Sequence, residues 1–163
     1  MSDQVLINEL ASVHLGKAGD GTVVKPYETP DNVDPSLLVA VPRYLNRTQY
    51  NISDDNLPFE GFDVWNAYEF STLLKNGFPV SGWLKFIYSD DTPNIVESKS
   101  VKLYLNSYNM ARIIDSIDDI KIIEEMISLD LTNAVKGPVI TALFIGDVDT
   151  VKPISCLLYT SPS

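Results

Sequence analysis

The stretch Asn94-Ile95-Val96-Glu97-Ser98-Lys99-Ser100-Val101-Lys102-Leu103-Tyr104-Leu105-Asn106-Ser107 decides how the rest of the chain is read, because it turns from a strand into a helix within a few residues. It sets a carboxylate, hydroxyls and two ammonium groups inside a frame of Ile, Val, Leu and Tyr. Polar groups held that tightly in an apolar frame usually face a ligand. A glutamate at a strand-to-helix junction can accept two parallel hydrogen bonds from a ring N–H and an exocyclic amine, the donor pair of a guanine-like edge. Ser98 and Lys99 beside it can hold a polar or phosphorylated second ligand. The same residues also read as an ordinary helix start, with Ser98 as cap, Glu97 as a first-turn charge and the lysines on a solvated face. The residues alone leave both readings open.

Upstream, Val64, Asn66, Tyr68 and Phe70 alternate with Trp65, Ala67, Glu69 and Ser71, which predicts a strand over 62–74 with both faces partly covered. Lys75-Asn76-Gly77-Phe78-Pro79 supplies turn chemistry, and Val80 to Tyr88 repeats the strand pattern, giving a long antiparallel hairpin. Downstream, Leu103, Leu105, Tyr108 and Met110 carry apolar surface through a short helix. A second helix is capped by Asp115 or Ser116 and keeps Ile117, Ile120, Ile123, Ile127 and Leu131 on one face. Its Asp118, Asp119, Glu124 and Glu125 read as the solvated side. Gly137-Pro138 stops it, and 139–145 is a further strand. Before the hairpin, Gly19, Gly21, Pro26, Pro30 and Pro35 forbid a long regular element from about Gly16 to Pro35. The division expected is an amino-terminal arm and lead-in packing on the domain (1–61), one domain (62–155) and a tail (156–163).

Glu97-Ser98-Lys99-Ser100-Val101-Lys102-Leu103-Tyr104 fits at every position the pattern Glu, Ser or Leu, Lys, Ser or Ala, any residue, Lys, Leu or Tyr, aromatic. That is the signature of the NADPH-dependent 7-cyano-7-deazaguanine reductases, the nitrile reductases of queuosine biosynthesis, which the chain closely resembles. Ordered blocks extend the resemblance: Leu15-Gly16-Lys17, Ser36-Leu37-Leu38, Val41-Pro42-Arg43, Leu45-Asn46-Arg47, Asp55-Asn56-Leu57-Pro58-Phe59, Asp63-Val64-Trp65 and Asn106-Ser107-Tyr108-Asn109. It covers roughly residues 10 to 155 and looks like the amino-terminal half of the family's long form. It implies an α+β tunnelling-fold unit, an antiparallel sheet with two helices packed on one face, several of which close into a barrel with ligand sites where units meet. It further implies that Val96, Glu97 and Ser98 line the substrate site, with Glu97 reading the guanine-like edge, that Ser98 and Lys99 touch NADPH, and that the parent is a homodimer.

Composition bounds the answer independently. With 163 residues and 45% hydrophobic content the chain can bury the core of one domain. It has no apolar run of about 18 residues and no basic leader at Met1-Ser2-Asp3-Gln4, so a soluble, cytoplasmic protein without a membrane partner is expected. A net charge of −10 with dispersed Lys and Arg argues against a nucleic-acid surface. No metal site is expected, since a lone Cys156 can build neither a disulfide nor a zinc centre. His14, the only histidine, anchors no Ser/His/Asp triad. Neither a Gly-x-Gly-x-x-Gly nor a phosphate-loop motif is present. Trp65 and Trp83 fall at strand positions and read as core rather than as stacking platforms; Arg43 and Arg47 read as structural ion pairs or dimer contacts.

In the family a cysteine attacks the nitrile carbon and an aspartate seven residues later donates a proton. Seven residues after Cys156 stands Ser163, so no catalytic residue is assigned to this chain. Cys156-Leu157-Leu158-Tyr159-Thr160-Ser161-Pro162-Ser163 resembles a translated sequencing adapter, and the expectation is a truncated reading frame whose missing second half carries the catalytic groups. The alternative is a purine- or pterin-binding tunnelling-fold module, non-catalytic or with different chemistry.

Overall fold

The computed structural model describes residues 32–146. His14, Leu15-Gly16-Lys17, Cys156, the 156–163 tail and nearly all of the arm lie outside the described residues. The elements are β1 (Ala40–Pro42), a single helical turn α1 (Tyr44–Arg47), β2 (Phe62–Leu73), β3 (Pro79–Ser89), β4 (Asn94–Val96), α2 (Ser98–Asn106), α3 (Ile120–Val135) and β5 (Val139–Ile145). A three-stranded antiparallel sheet runs β2-β3-β5, and β1 pairs with β4 in a second, two-stranded sheet. This is the expected α+β architecture.

The hairpin forms where the alternation placed it. Gly77 takes φ +88, the left-handed conformation that L side chains avoid, while Leu74 and Phe78 close the turn through a 2.9 Å backbone bond. A bulge that alternation did not reveal sits between Ala67 and Phe70, where Tyr68 and Glu69 together oppose Trp83. It keeps both Ala67 and Phe70 on the inner face. On β3, a Cβ at Gly82 would lie 2.1 Å from the Phe144 carbonyl oxygen, so glycine there lets β5 approach.

One face of the three-stranded sheet meets both helices. Phe70, Leu84, Phe86 and Tyr88 pack against Val101, Tyr104 and Leu105 of α2 and against Ile123, Ile127, Leu131 and Val135 of α3. Burying each aliphatic or aromatic side chain contributes about 1.5–3 kcal/mol over leaving it exposed. Inside this core the Tyr104 hydroxyl donates to Asp130 Oδ2 at 2.6 Å and meets the Tyr108 hydroxyl at 2.9 Å. Burial pushes both phenols up, Tyr108 to about 12. The opposite face carries Val64, Trp83, Lys85, Ile87, Ile140 and Phe144.

Three expectations for α3 are corrected. Ser116 caps a 3₁₀ turn (Ile117–Asp119) that precedes the helix, which leaves Ile117 exposed rather than on the core face. The left-handed residue that ends the helix is Lys136, before Gly137. Glu124 is not solvated: its Oε2 accepts the Leu143 N–H of β5 at 2.9 Å. Ser128 Oγ donates to the Val139 carbonyl, and Thr132 Oγ1 accepts the Val139 N–H. Side chains of α3 thus occupy three outward-pointing backbone groups on the rim of β5, the Val139 N–H and carbonyl and the Leu143 N–H.

The lead-in joins this body. Val39, Val41 and Leu45 are buried, and the Arg43 guanidinium reaches Asp63, the Ser89 carbonyl and Thr92 Oγ1. Arg47 reaches Asp54 and the Asp90 carbonyl, each at 2.6 Å. Both arginines therefore clamp 43–47 onto the ends of the hairpin, the structural role read for them.

Candidate functional site

Where β4 ends, Glu97 leaves the strand in extended backbone and becomes the N-cap of α2. Its Oε1 accepts the Lys99 N–H at 3.0 Å and its Oε2 accepts the Ser100 N–H at 2.7 Å. The Ser98 hydroxyl donates to Oε1 at 3.3 Å. The cap is therefore Glu97 itself and not Ser98. Two backbone donors fix the half-buried carboxylate; Oε2 keeps a lone pair that the helix does not use, while the second lone pair of Oε1 receives the long bond from the Ser98 hydroxyl, a rotor that can turn away. A carboxylate held by both oxygens in this way is preorganised to receive a paired donor edge. It also fills the helix N-terminus that a phosphate would otherwise occupy.

Not every polar group of the stretch faces outward. Ser100 is 1% exposed; its Oγ donates to the Glu97 carbonyl at 2.7 Å and accepts the Val39 N–H at 3.0 Å. Glu97 N–H in turn donates to the Val39 carbonyl. Ser107 is likewise buried, accepting the Asp34 N–H. These hydroxyls splice the stretch to the lead-in and do not face a ligand. Val96 is buried among the core residues, so its side chain is below the site, and its N–H approaches the Tyr88 hydroxyl at 3.5 Å.

A cavity of about 350 Å³ opens beside α2 at the edge of β2. Trp65, Ala67, Tyr68 and Phe86 line it from the sheet, and Ser98, Val101 and Lys102 from the helix. Lys102 pairs with Glu69 of the bulge at 3.3 Å across its mouth, an exposed pair worth about 0–1 kcal/mol. Of the sequence-derived site residues, Ser98 lines this cavity; Glu97 stands next to it in the chain, and the exposed Lys99 follows one position further on. Among the described residues no group of His, Cys, Asp and Glu is arranged to hold a metal. No described helix is long and apolar enough to cross a membrane.

Trp65 packs against the core as expected of a strand position, yet the indole is only half-buried, stacks on Phe86 at 5.5 Å between centroids, and lines the cavity, which the alternation does not announce. The bulge residues that shape the mouth were missed, since a two-against-one pairing leaves no mark in an alternating pattern.

Residues 29–143 match the family described as nitrile reductase, 7-cyano-7-deazaguanine-reductase N-term. Relatives named NADPH-dependent 7-cyano-7-deazaguanine reductase include one from Dechloromonas aromatica (strain RCB), 43% identical over 82% of this chain and 46% of its own length. Another, from Rickettsia canadensis (strain McKiel), is 45% identical over 70% of this chain and 40% of its own length. A third, from Rickettsia prowazekii (strain Madrid E), is 46% identical over the same shares. The chain thus spans less than half the length of these relatives.

Proposed function

This chain belongs to the nitrile reductase, 7-cyano-7-deazaguanine-reductase N-term family, and from that premise we propose that it forms the purine-reading half of a reductase converting 7-cyano-7-deazaguanine to 7-aminomethyl-7-deazaguanine in queuosine biosynthesis. The carrying observation is the doubly anchored Glu97 carboxylate at the head of α2. The open lone pair of Oε2, and that of Oε1 once the Ser98 hydroxyl turns away, match the ring N–H and exocyclic amine of a guanine-like base. Val96 supports the site from beneath, and Ser98 offers a hydroxyl at the cavity wall. Ser98 and the exposed Lys99, which has no ion-pair partner among the described residues, fit the polar and phosphorylated parts of NADPH. Bound there, NADPH would supply one hydride in each of two successive reductions, since nitrile to amine takes two hydrides. This chain's residues would bind and orient.

In this reading the nucleophilic cysteine and its proton donor come from the other half of the same polypeptide, the parent is a cytoplasmic homodimer, and the substrate is a free base. The chain is titrated calorimetrically with 7-cyano-7-deazaguanine. Saturable binding that Glu97→Gln weakens at least tenfold supports the assignment. No binding, or a Glu97→Gln variant within twofold of the parent, refutes it.

A further inference from the structure

The Trp65 indole reaches into the cavity wall, and no role has been assigned to it there. Its Nε1–H donates to the Tyr88 hydroxyl at 3.1 Å, and the same hydroxyl oxygen lies 3.5 Å from the Val96 N–H. One phenol oxygen therefore ties the indole to the strand whose next residue is Glu97. The ring is held from a second direction by Phe86, offset-stacked with 8° between planes. Phe86 is itself 1% exposed and cannot shift without opening the core. Tyr88, 2% exposed, is held in turn by the Arg43 guanidinium 5.6 Å above its ring. An aromatic ring that is half-buried, fixed at two points and bordering a mostly apolar cavity is prepared for a planar partner, because its rotational freedom has already been lost on folding.

We propose that Trp65 is the stacking platform of the base subsite, and that Tyr88 is a positioning residue setting the indole relative to Glu97. The inference rests on the purine-reading function proposed above and assigns a division of labour within it. Glu97 chooses the base by its donor edge, and Trp65 contributes affinity for any planar base. The cavity volume of about 350 Å³ accommodates a fused two-ring heterocycle.

The test uses the full chain and its Trp65→Leu, Trp65→Phe, Tyr88→Phe and Glu97→Gln variants, each titrated with 7-cyano-7-deazaguanine and with 7-deazaadenine, which lacks the donor pair. Trp65→Leu should weaken both bases about tenfold or more, the effect of losing one base–aromatic stack, and leave their ratio unchanged. Trp65→Phe, which keeps a ring and guards against a folding artefact, should bind within about threefold of the parent. Tyr88→Phe should weaken binding while leaving the melting profile close to the parent's. Glu97→Gln should collapse the ratio between the bases. The chain has only two tryptophans, so base-induced quenching present in the parent and absent in Trp65→Phe reports contact with this indole. Equal affinities for the parent and Trp65→Leu, or quenching that survives in Trp65→Phe, overturn the platform assignment while leaving the Glu97 reading intact. An unchanged ratio in Glu97→Gln, with Trp65→Leu still impaired, sinks the Glu97 reading alone. Absence of any binding by the parent overturns both.

Discussion

Glu97 is given two tasks, capping α2 and reading a base, and replacing it with aspartate separates them. Aspartate is a strong N-cap whose carboxylate reaches the same backbone donors, but it lacks one methylene and draws the carboxylate back by about 1.5 Å. Glu97→Ala removes both acceptors, at 3.0 and 2.7 Å, together with the negative charge at the helix head. Loss of the cap costs about 0.5–2 kcal/mol and loss of the charge about 0.3–1, so alanine should destabilise the chain by about 1–2.5 kcal/mol. In urea that is a midpoint shift of about 0.5–1 M. Glu97→Gln keeps one acceptor and should fall near the middle of that range. Glu97→Asp should stay within about 0.5 kcal/mol of the parent. Base binding should not follow this order. Glutamine presents a donor to a donor and should cost about 2–4 kcal/mol in affinity, while aspartate, although stable, should lose about tenfold because its oxygens no longer reach the ring edge. Urea midpoints and calorimetric titrations on the four proteins check the two scales independently. An aspartate variant that is as stable as the parent and binds the base within twofold would show that the carboxylate is only a cap.

The chain alone should show no substrate-dependent NADPH oxidation, because its sole cysteine, Cys156, is followed seven residues later by Ser163 and not Asp; turnover above background would contradict this. Stability should be constant up to about pH 10 and fall above it, since the buried Tyr104 and Tyr108 phenols are raised in the fold, Tyr108 to about 12, and the unfolded chain releases their protons first. The loss should approach about 1.4 kcal/mol per pH unit per phenol, and urea midpoints flat to pH 11.5 would refute the burial argument. Gly82→Ala would bring a Cβ within 2.1 Å of the Phe144 oxygen, forcing β5 back by about 1 Å at a cost of about 3 kcal/mol. A melting temperature lowered by less than about 3 °C would show that β5 yields easily.

What was legible in the sequence was whatever repeats. The two-residue period marked β2 and β3, and the spacing of Ile123, Ile127 and Leu131 marked the buried side of α3. The short pieces were not legible: β1 has three residues, Ala40–Pro42, and exists because β4 lies beside it, a contact between segments far apart in the chain. Charge misled at Glu124, where an acidic residue on an acidic helix meets an edge-strand N–H that no local pattern announces. The candidate site was half legible. The residue pattern left Glu97 open between cap and ligand, and the family signature singled it out; the pattern treated all polar groups of the stretch alike, whereas Ser100 and Ser107 face inward as splices. Trp65 was hidden because an aromatic at a strand position looks the same whether the space above it is filled or empty.

The two rims of the three-stranded sheet are unequal. Along β5 the Val139 N–H and carbonyl and the Leu143 N–H are already engaged by Thr132, Ser128 and Glu124, whereas among the described residues β2 has a strand on one side only, β3, with a single bridge from Leu73 to Arg112 on the other. At Val139 and Leu143 an approaching chain would first have to displace those α3 side chains, so of the two rims described β2 is the easier one to extend. The same rim carries Trp65, Ala67 and Tyr68, so whatever added to it would also become the fourth wall of the cavity.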